Sequence, residues 1–238
     1  PDPQLTTESA HGLGVEYRQK MFWKTFRPIE VWLVRLHSQF ESYYAQKKGV
    51  DFRNLIIKPI SVFRKIENSA IPKTVKKRET FFIPAYHNNL EFMDLQKKCK
   101  ELDIPVYCGR YNGPADIKSF KGIINLPGAW SNLALFENIQ HGLVHFVPSR
   151  EFIMTLSQQP NYWHPDSSFL FKDRQFELSD WYTTDHKDII VYFDSWQDLK
   201  EKTLNTNLEV LKNNVRTFAA KHTKEMLKRW KSIFDKII

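Results

Sequence analysis

The chain has 238 residues, 42% of them hydrophobic, and carries 35 Lys+Arg against 27 Asp+Glu for a net charge of +8. Its 7 Trp, 9 Tyr and 18 Phe argue against a disordered chain, and the length fits one large domain or two small ones. Two cysteines, Cys99 and Cys108, without a CxxC spacing argue against a disulfide framework, a zinc ribbon and a redox dithiol. No apolar run reaches the roughly 18 residues of a membrane span and no secretory signal opens the chain, so the expectation is a soluble cytoplasmic protein in a reducing compartment.

The charge is unevenly spread. Residues 1–78 hold 15 basic and 7 acidic residues, 79–206 hold 12 and 17, and 207–238 hold 8 and 3. In chain order, residues 1–10 have no core-forming pattern, and 18–46 look helical with Pro28 marking a start or a kink. A second helical piece is expected over Ile56 to Glu67, followed by a charged, solvated linker at 71–79. Residues 1–78 then read as a mainly helical N-terminal region, and 79–238 as a second unit.

From Phe81 the pattern changes. FFIPAY (81–86), IPVYCG (104–109), GIINL (122–126), LVHFVP (143–148) and DIIVYF (188–193) are strand-like, with helical stretches between them. Repeated strand, helix, strand with short connections predicts an α/β fold: a Rossmann-like parallel sheet of about five strands flanked by helices. Ligands of such sheets sit beyond the carboxyl ends of the strands. The loops to inspect are therefore Tyr86 to Asn89, Arg110 to Pro114 and Pro127 to Asn132. The last 32 residues form one or two amphipathic helices, with apolar residues recurring at Leu208, Leu211, Val215, Phe218, Met226, Trp230, Ile233 and Ile237.

The most informative segment is LPGAWSNLALFENIQHG, residues 126–142. Pro127 and Gly128 break the strand, Ser131 is the expected N-cap, and Gly142 ends the helix. The free N–H groups of its first turn suit a phosphate or diphosphate, and Glu137, two turns in, is placed to accept both hydroxyls of a ribose. A solvated strip of Glu137, Asn138 and His141 is the plain alternative.

The run from Phe81 to Ser149 resembles the donor-binding half of GT-B-type glycosyltransferases, through the succession GIINLP, AWSNLALFENIQHG and LVHFVPS. VYFDSWQDL (191–199) is similar to the next strand and helix of that fold, and the closing helix to the one that crosses back toward the other half. A weaker similarity is to the sugar-transferring domains of multidomain glycosyltransferases of large algal viruses, some of which transfer rhamnose. The resemblance implies a UDP-type nucleotide sugar as donor, with UDP-rhamnose one possibility, and a carbohydrate acceptor. Glu137 would bind ribose, the backbone around Ser131, Asn132 and Leu133 the diphosphate, and Tyr86, His87 and Asn88 the sugar or a phosphate.

Two departures stand out. The paired basic motif expected in an early loop is missing, which leaves Arg110 as the diphosphate cation, with Lys118 and Lys121 as weaker substitutes. The chain is also short for a complete two-half enzyme, so residues 1–78 are either a reduced acceptor side or the chain is part of a larger enzyme. No Asp-x-Asp occurs, which argues against the metal-bridged GT-A arrangement and for metal-independent transfer with no cofactor. His11 and Glu16, in the glycine-flanked AHGLGVEY, are the candidate catalytic bases. Tyr86, Tyr111 and Trp130 are candidates to stack on the nucleobase or sugar. The segment 161–169 reads as a possible lid, with His164 and Asp166 lacking identifiable metal partners. Missing GxGxxG, GxxxxGK[ST] and GxSxG motifs argue against dinucleotide oxidoreductases, P-loop enzymes and α/β-hydrolases. The alternatives are a nucleic-acid or polyanion binding module using the basic ends with Trp23 and Trp230, and a non-catalytic nucleotide-sugar-binding subunit.

Overall fold

The computed structural model describes residues 38–49, 56–60, 78–85, 94–159 and 176–237. All five expected strands are present: β1 (Phe81–Pro84), β2 (Val106–Gly109), β3 (Ile123–Ile124), β4 (His145–Pro148) and β5 (Ile190–Phe193). Every pairing is parallel, and the spatial order is β2-β1-β3-β4-β5. The helices are α1 (Gln39–Lys47), α2 (Leu95–Glu101), α3 (Gly113–Ile117), α4 (Leu133–Gln140), α5 (Arg150–Ser157), α6 (Trp196–Asn205) and α7 (Leu208–Ile237).

A parallel sheet with helical crossovers is covered on both faces, so its strands read as apolar runs rather than alternating ones. Phe81, Phe82 and Ile83 are all buried, as is the whole of β4. Register assigns the faces. Phe82, Tyr107, Ile123, His145 and Ile190 are partners in one row, so their side chains share a face. Phe82 and Ile123 pack there with Ile117, Phe120 and Leu143. On the opposite face Phe81 meets Phe146 edge-on at 5.2 Å, and Phe152 of α5 bridges Phe193 and Trp196 at 5.9 and 5.3 Å.

Ahead of β5, residues 176–189 run over the His145 face with two short 3-10 turns, Phe176–Leu178 and Thr184–His186. Tyr182 stacks on Tyr192 at 5.8 Å and its hydroxyl donates to the Pro148 carbonyl, while Trp181 lies edge-on to His145 at 5.6 Å. The closing segment is a single 30-residue helix, α7, whose Val215, Ala219, His222 and Met226 are buried. It covers α4: Phe136 stacks on His222 at 5.6 Å, and Thr223 Oγ1 lies 2.9 Å from Gln140 Oε1.

Three local expectations are corrected. The helix expected over 18–46 does not run unbroken, because Ser38 is extended and starts α1 afresh through a capping box with Glu41. Residues 18–37 lie outside the described residues. Ile56 to Ile60 are not helical. Pro59 lacks an N–H and disfavours helix at Lys58, and the carbonyls of Ile56 and Pro59 are taken by Arg229 (2.9 Å) and His222 (3.0 Å) of α7. Arg78, at the end of the supposedly solvated linker, is docked: it pairs with Asp116, lies 4.4 Å over the Phe120 ring and donates its N–H to the Ser119 carbonyl.

The junction of α4 with α7 depends on Gly142. Its φ is +74°, and a Cβ there would meet Arg216 Cγ at 3.1 Å, so any other residue combines a left-handed penalty with a shift of the Arg216 side chain. Gly142→Ala should therefore lower the unfolding free energy by about 1–2 kcal/mol, read from urea melts. An unchanged midpoint would show that the helix terminus relaxes freely.

Candidate functional site

The strand order reverses between β1 and β3, and this switch point is where ligands of open parallel sheets sit. A cavity of about 330 Å³ opens there, at the carboxyl ends of β1, β2 and β3. Its walls include Phe82, Pro84, Ala85, Gly109, Arg110 and Tyr111 from the first two strand ends, and Asn125 just beyond β3. Asn132, Ala134, Leu135 and Asn138 contribute the start of α4; Ala134 and Asn138, one turn apart, lie on the same helix side. Ile117, Ile123, His145 and Trp181 complete the described lining.

The mouth is held open by local geometry. Tyr107 Oη donates to the Arg110 carbonyl at 3.0 Å, fixing the turn that follows β2. A Cβ at Gly109 would meet that same hydroxyl at 2.9 Å, so glycine lets the tyrosine cross the strand end. Arg110 and Tyr111 are exposed at the rim, and the Tyr111 ring stands edge-on to Phe82 at 5.5 Å.

The N-cap of α4 is Asn132, one residue later than the expected Ser131. Its Oδ1 accepts from the Ala134 N–H at 2.9 Å and its carbonyl from the Leu135 N–H at 3.0 Å. The chain is still extended at Asn132, so the helical turn begins at Leu133. Two first-turn donors are thus already used, and the Leu133 N–H is left at the open helix end. Gly142 terminates the helix as expected, one residue past the C-cap His141.

The structure gathers only some of the predicted residues. Arg110, Tyr111 and Asn132 line the cavity; Ser131, Leu133 and Glu137 are outside its lining. Glu137 is exposed on α4, three residues after Ala134, and its charge together with burial raises the Tyr111 phenol, burial contributing more. Lys121 pairs instead with Glu79 at 3.0 Å, and Lys118 is not part of the lining. Trp130 is corrected as a stacking candidate: its ring lies parallel to Phe40 of α1 at 4.2 Å and is buried. His11, Glu16, Tyr86, His87, Asn88 and Asn89, and the segment 161–169, lie outside the described residues.

Sequence reasoning missed Asn125, Asn138, His145 and Trp181. A lone histidine inside the apolar run LVHFVP, which reads as a fully covered strand, is the available signal. Trp181 comes from a turn-rich stretch with no periodicity to read.

The cavity is electrically simple. Among the described residues that line it Arg110 is the only charged side chain, so the described interior is neutral and one cation stands at the rim. Burial pushes the His145 imidazole down to about 3. His186 is likewise pushed down to about 3, by burial first and then by the Lys58 ammonium. Burial lowers His222 as well. The His186 Nδ1 lies 2.6 Å from the Asp180 carbonyl, which can only accept, so that nitrogen carries the proton. Burial, with Asp94 nearby, raises the Cys99 thiol to about 12 and makes it a poor nucleophile. Among the described residues no group of His, Cys, Asp and Glu is arranged to hold a metal ion, and no helix is long and apolar enough to cross a membrane.

No family model matches the chain, and neither a curated protein nor a solved structure matches it significantly.

The buried imidazoles predict acid lability. Unfolded histidines take up protons near pH 6.5, whereas folded His145 and His186 resist until about pH 3. Between those values the unfolded state binds more protons, so stability is lost as pH falls from about 6.5. Calorimetry near pH 5.5 in buffers of different ionisation enthalpy should register uptake of about two protons on unfolding. Absence of uptake would mean that these rings are already charged in the native state.

Proposed function

We propose that this chain binds a nucleotide-diphosphate sugar at the switch-point cavity and serves glycosyl transfer from it to a carbohydrate acceptor. The observation that carries this reading is the pairing of one rim cation, Arg110, with the start of α4 across the mouth of a neutral cavity. A diphosphate suits that mouth: the guanidinium supplies charge and the first turn of α4 supplies the helix dipole and the Leu133 N–H. As the sugar leaves, negative charge grows on the diphosphate, and fixed donors already aimed there stabilise it without reorganisation. Glu137 is the residue proposed to take ribose hydroxyls outside the cavity, a role supported by its exposure and by its charge acting on Tyr111 at the rim.

The donor proposed is of UDP type, with UDP-rhamnose carried as one candidate from the weaker similarity to the algal-virus enzymes. His11 or Glu16 is proposed as the base that activates the acceptor hydroxyl. Residues 1–78, or further domains of a larger enzyme, are proposed as the acceptor side. Donor activation by Arg110 and α4 requires no divalent metal.

A ligand that binds only the folded state must raise apparent stability. UDP and UDP-sugars should therefore raise the melting temperature of the chain, and Arg110→Ala and Glu137→Ala should each weaken binding about tenfold, the loss of one charge-assisted contact. Both side chains are exposed, so the unliganded melting temperature should hold. Transfer should proceed equally in EDTA. Indifference to every nucleoside diphosphate would remove the reading.

A further inference from the structure

Two polar side chains of the cavity lack any hydrogen-bond partner among the described residues. His145 is 2% exposed, and neither Nδ1 nor Nε2 is bonded. Trp181 is also 2% exposed, and its Nε1–H is unbonded. The other buried histidines differ: His186 is bonded to the Asp180 carbonyl and His222 to the Pro59 carbonyl. Buried polar groups left without partners are rare in native structures and costly. Here both border the same open space and their rings are in contact.

The chemistry of the missing partner can be worked out. A neutral imidazole offers one donor and one acceptor, and with neither nitrogen committed, either tautomer is available. Indole offers one donor only. The set to be satisfied is therefore two donors and one acceptor in a site with no charge. A carboxylate or a diester phosphate supplies acceptors but no proton for the imidazole acceptor, and any phosphate would bring charge into a site without a counter-charge. An alcohol hydroxyl both donates and accepts, and two neighbouring hydroxyls satisfy all three groups. Asn138, which also lines the cavity, adds an amide that can donate and accept. Phe82, Tyr111 and Trp181 provide flat apolar walls of the kind that receive the C–H faces of a ring. At about 330 Å³ the cavity is at the small end for ligand pockets, enough for one ring and not for a whole nucleotide sugar.

We propose that the inner end of this cavity is a subsite for a neutral ring bearing neighbouring hydroxyl groups, held by His145 and Trp181, with the anionic part of the same molecule turned outward to Arg110. The outward orientation rests on the nucleotide-sugar reading, whereas the hydroxyl subsite does not. The ring is the sugar to be transferred if Glu137 holds the ribose outside, and the ribose of the nucleotide if Glu137 does not; the two give different results.

The test uses the full chain with UDP, a panel of UDP-sugars, and the corresponding free sugars and ribose at millimolar concentration, followed by thermal shift and calorimetric titration. His145→Leu should keep or raise the unliganded melting temperature, because a buried unbonded polar group is replaced by an apolar one. It should weaken the ligand carrying the seated ring at least tenfold. Trp181→Phe, which keeps an aromatic ring and removes the N–H, should act in the same direction and carries the test if the first variant does not fold. Loss of UDP affinity itself identifies ribose as the ring; loss confined to the extra affinity of the UDP-sugar identifies the transferred sugar; either supports the subsite. Free sugars that bind and are lost in His145→Leu, with no response to nucleotides, support the subsite and overturn the nucleotide reading. UDP or UDP-sugar binding that neither variant changes overturns the subsite and leaves the nucleotide reading standing. Failure of every probe to bind overturns both.

Discussion

Asp180 joins parts of the chain that are far apart in sequence. Its N–H donates to the Trp130 carbonyl at 2.9 Å, its own carbonyl is bonded to His186 Nδ1 at 2.6 Å, and its carboxylate meets Lys58 Nζ at 3.0 Å. The carboxylate is 2% exposed, so this is a buried ion pair, and removing either partner strands a charge at a cost of about 3–5 kcal/mol. The next residue is Trp181. The orientation of the indole against His145 thus follows from a charge pair that does not line the cavity.

Much of the fold is legible in the sequence because a fully covered parallel sheet writes each strand as an apolar run bounded by turns. FFIPAY, IPVYCG, GIINL, LVHFVP and DIIVYF all contain observed strands, and the loops chosen from their ends supply Arg110, Tyr111 and Asn132 to the cavity. Capping at α4 shifts by one residue because Ser131 and Asn132 are both competent caps, and only the backbone decides between them. The inner end of the cavity is less legible for a different reason. His145 and Trp181 meet only after β4 takes its register beside β3 and residues 176–189 fold back over that face. Nothing in the local pattern around either residue encodes the other. Lys58 is similar: its apolar neighbours suggest a helix, and its long-range partner imposes an extended segment.

The charge distribution acquires a physical meaning from this arrangement. Apart from the Asp180–Lys58 pair, the described interior of the sheet unit holds neutral groups, including three buried histidines, while other lysines and arginines lie outside on α7 and at the strand ends. A high overall pI therefore says little about the cavity, where a single guanidinium stands over neutral amides and rings. Selectivity inside such a cavity depends on hydrogen-bond matching, since a charge would have to be desolvated there without a counter-charge. The rim, by contrast, is open to long-range attraction of anions and should be sensitive to ionic strength.

The covering of α4 by α7 also sets an order of events during synthesis. All five strands and α4 leave the ribosome before Ala219, His222 and Thr223, the α7 residues that meet Phe136 and Gln140 of α4. At about 5–20 residues per second, the interval is on the order of several seconds. For that time Phe136 and its neighbours face solvent, and the helix that borders the cavity has no fixed seat. The nascent chain can assemble its sheet early, yet the cavity wall formed by α4 is seated only once α7 has emerged, and in the meantime the chain presents the kind of apolar surface that chaperones protect.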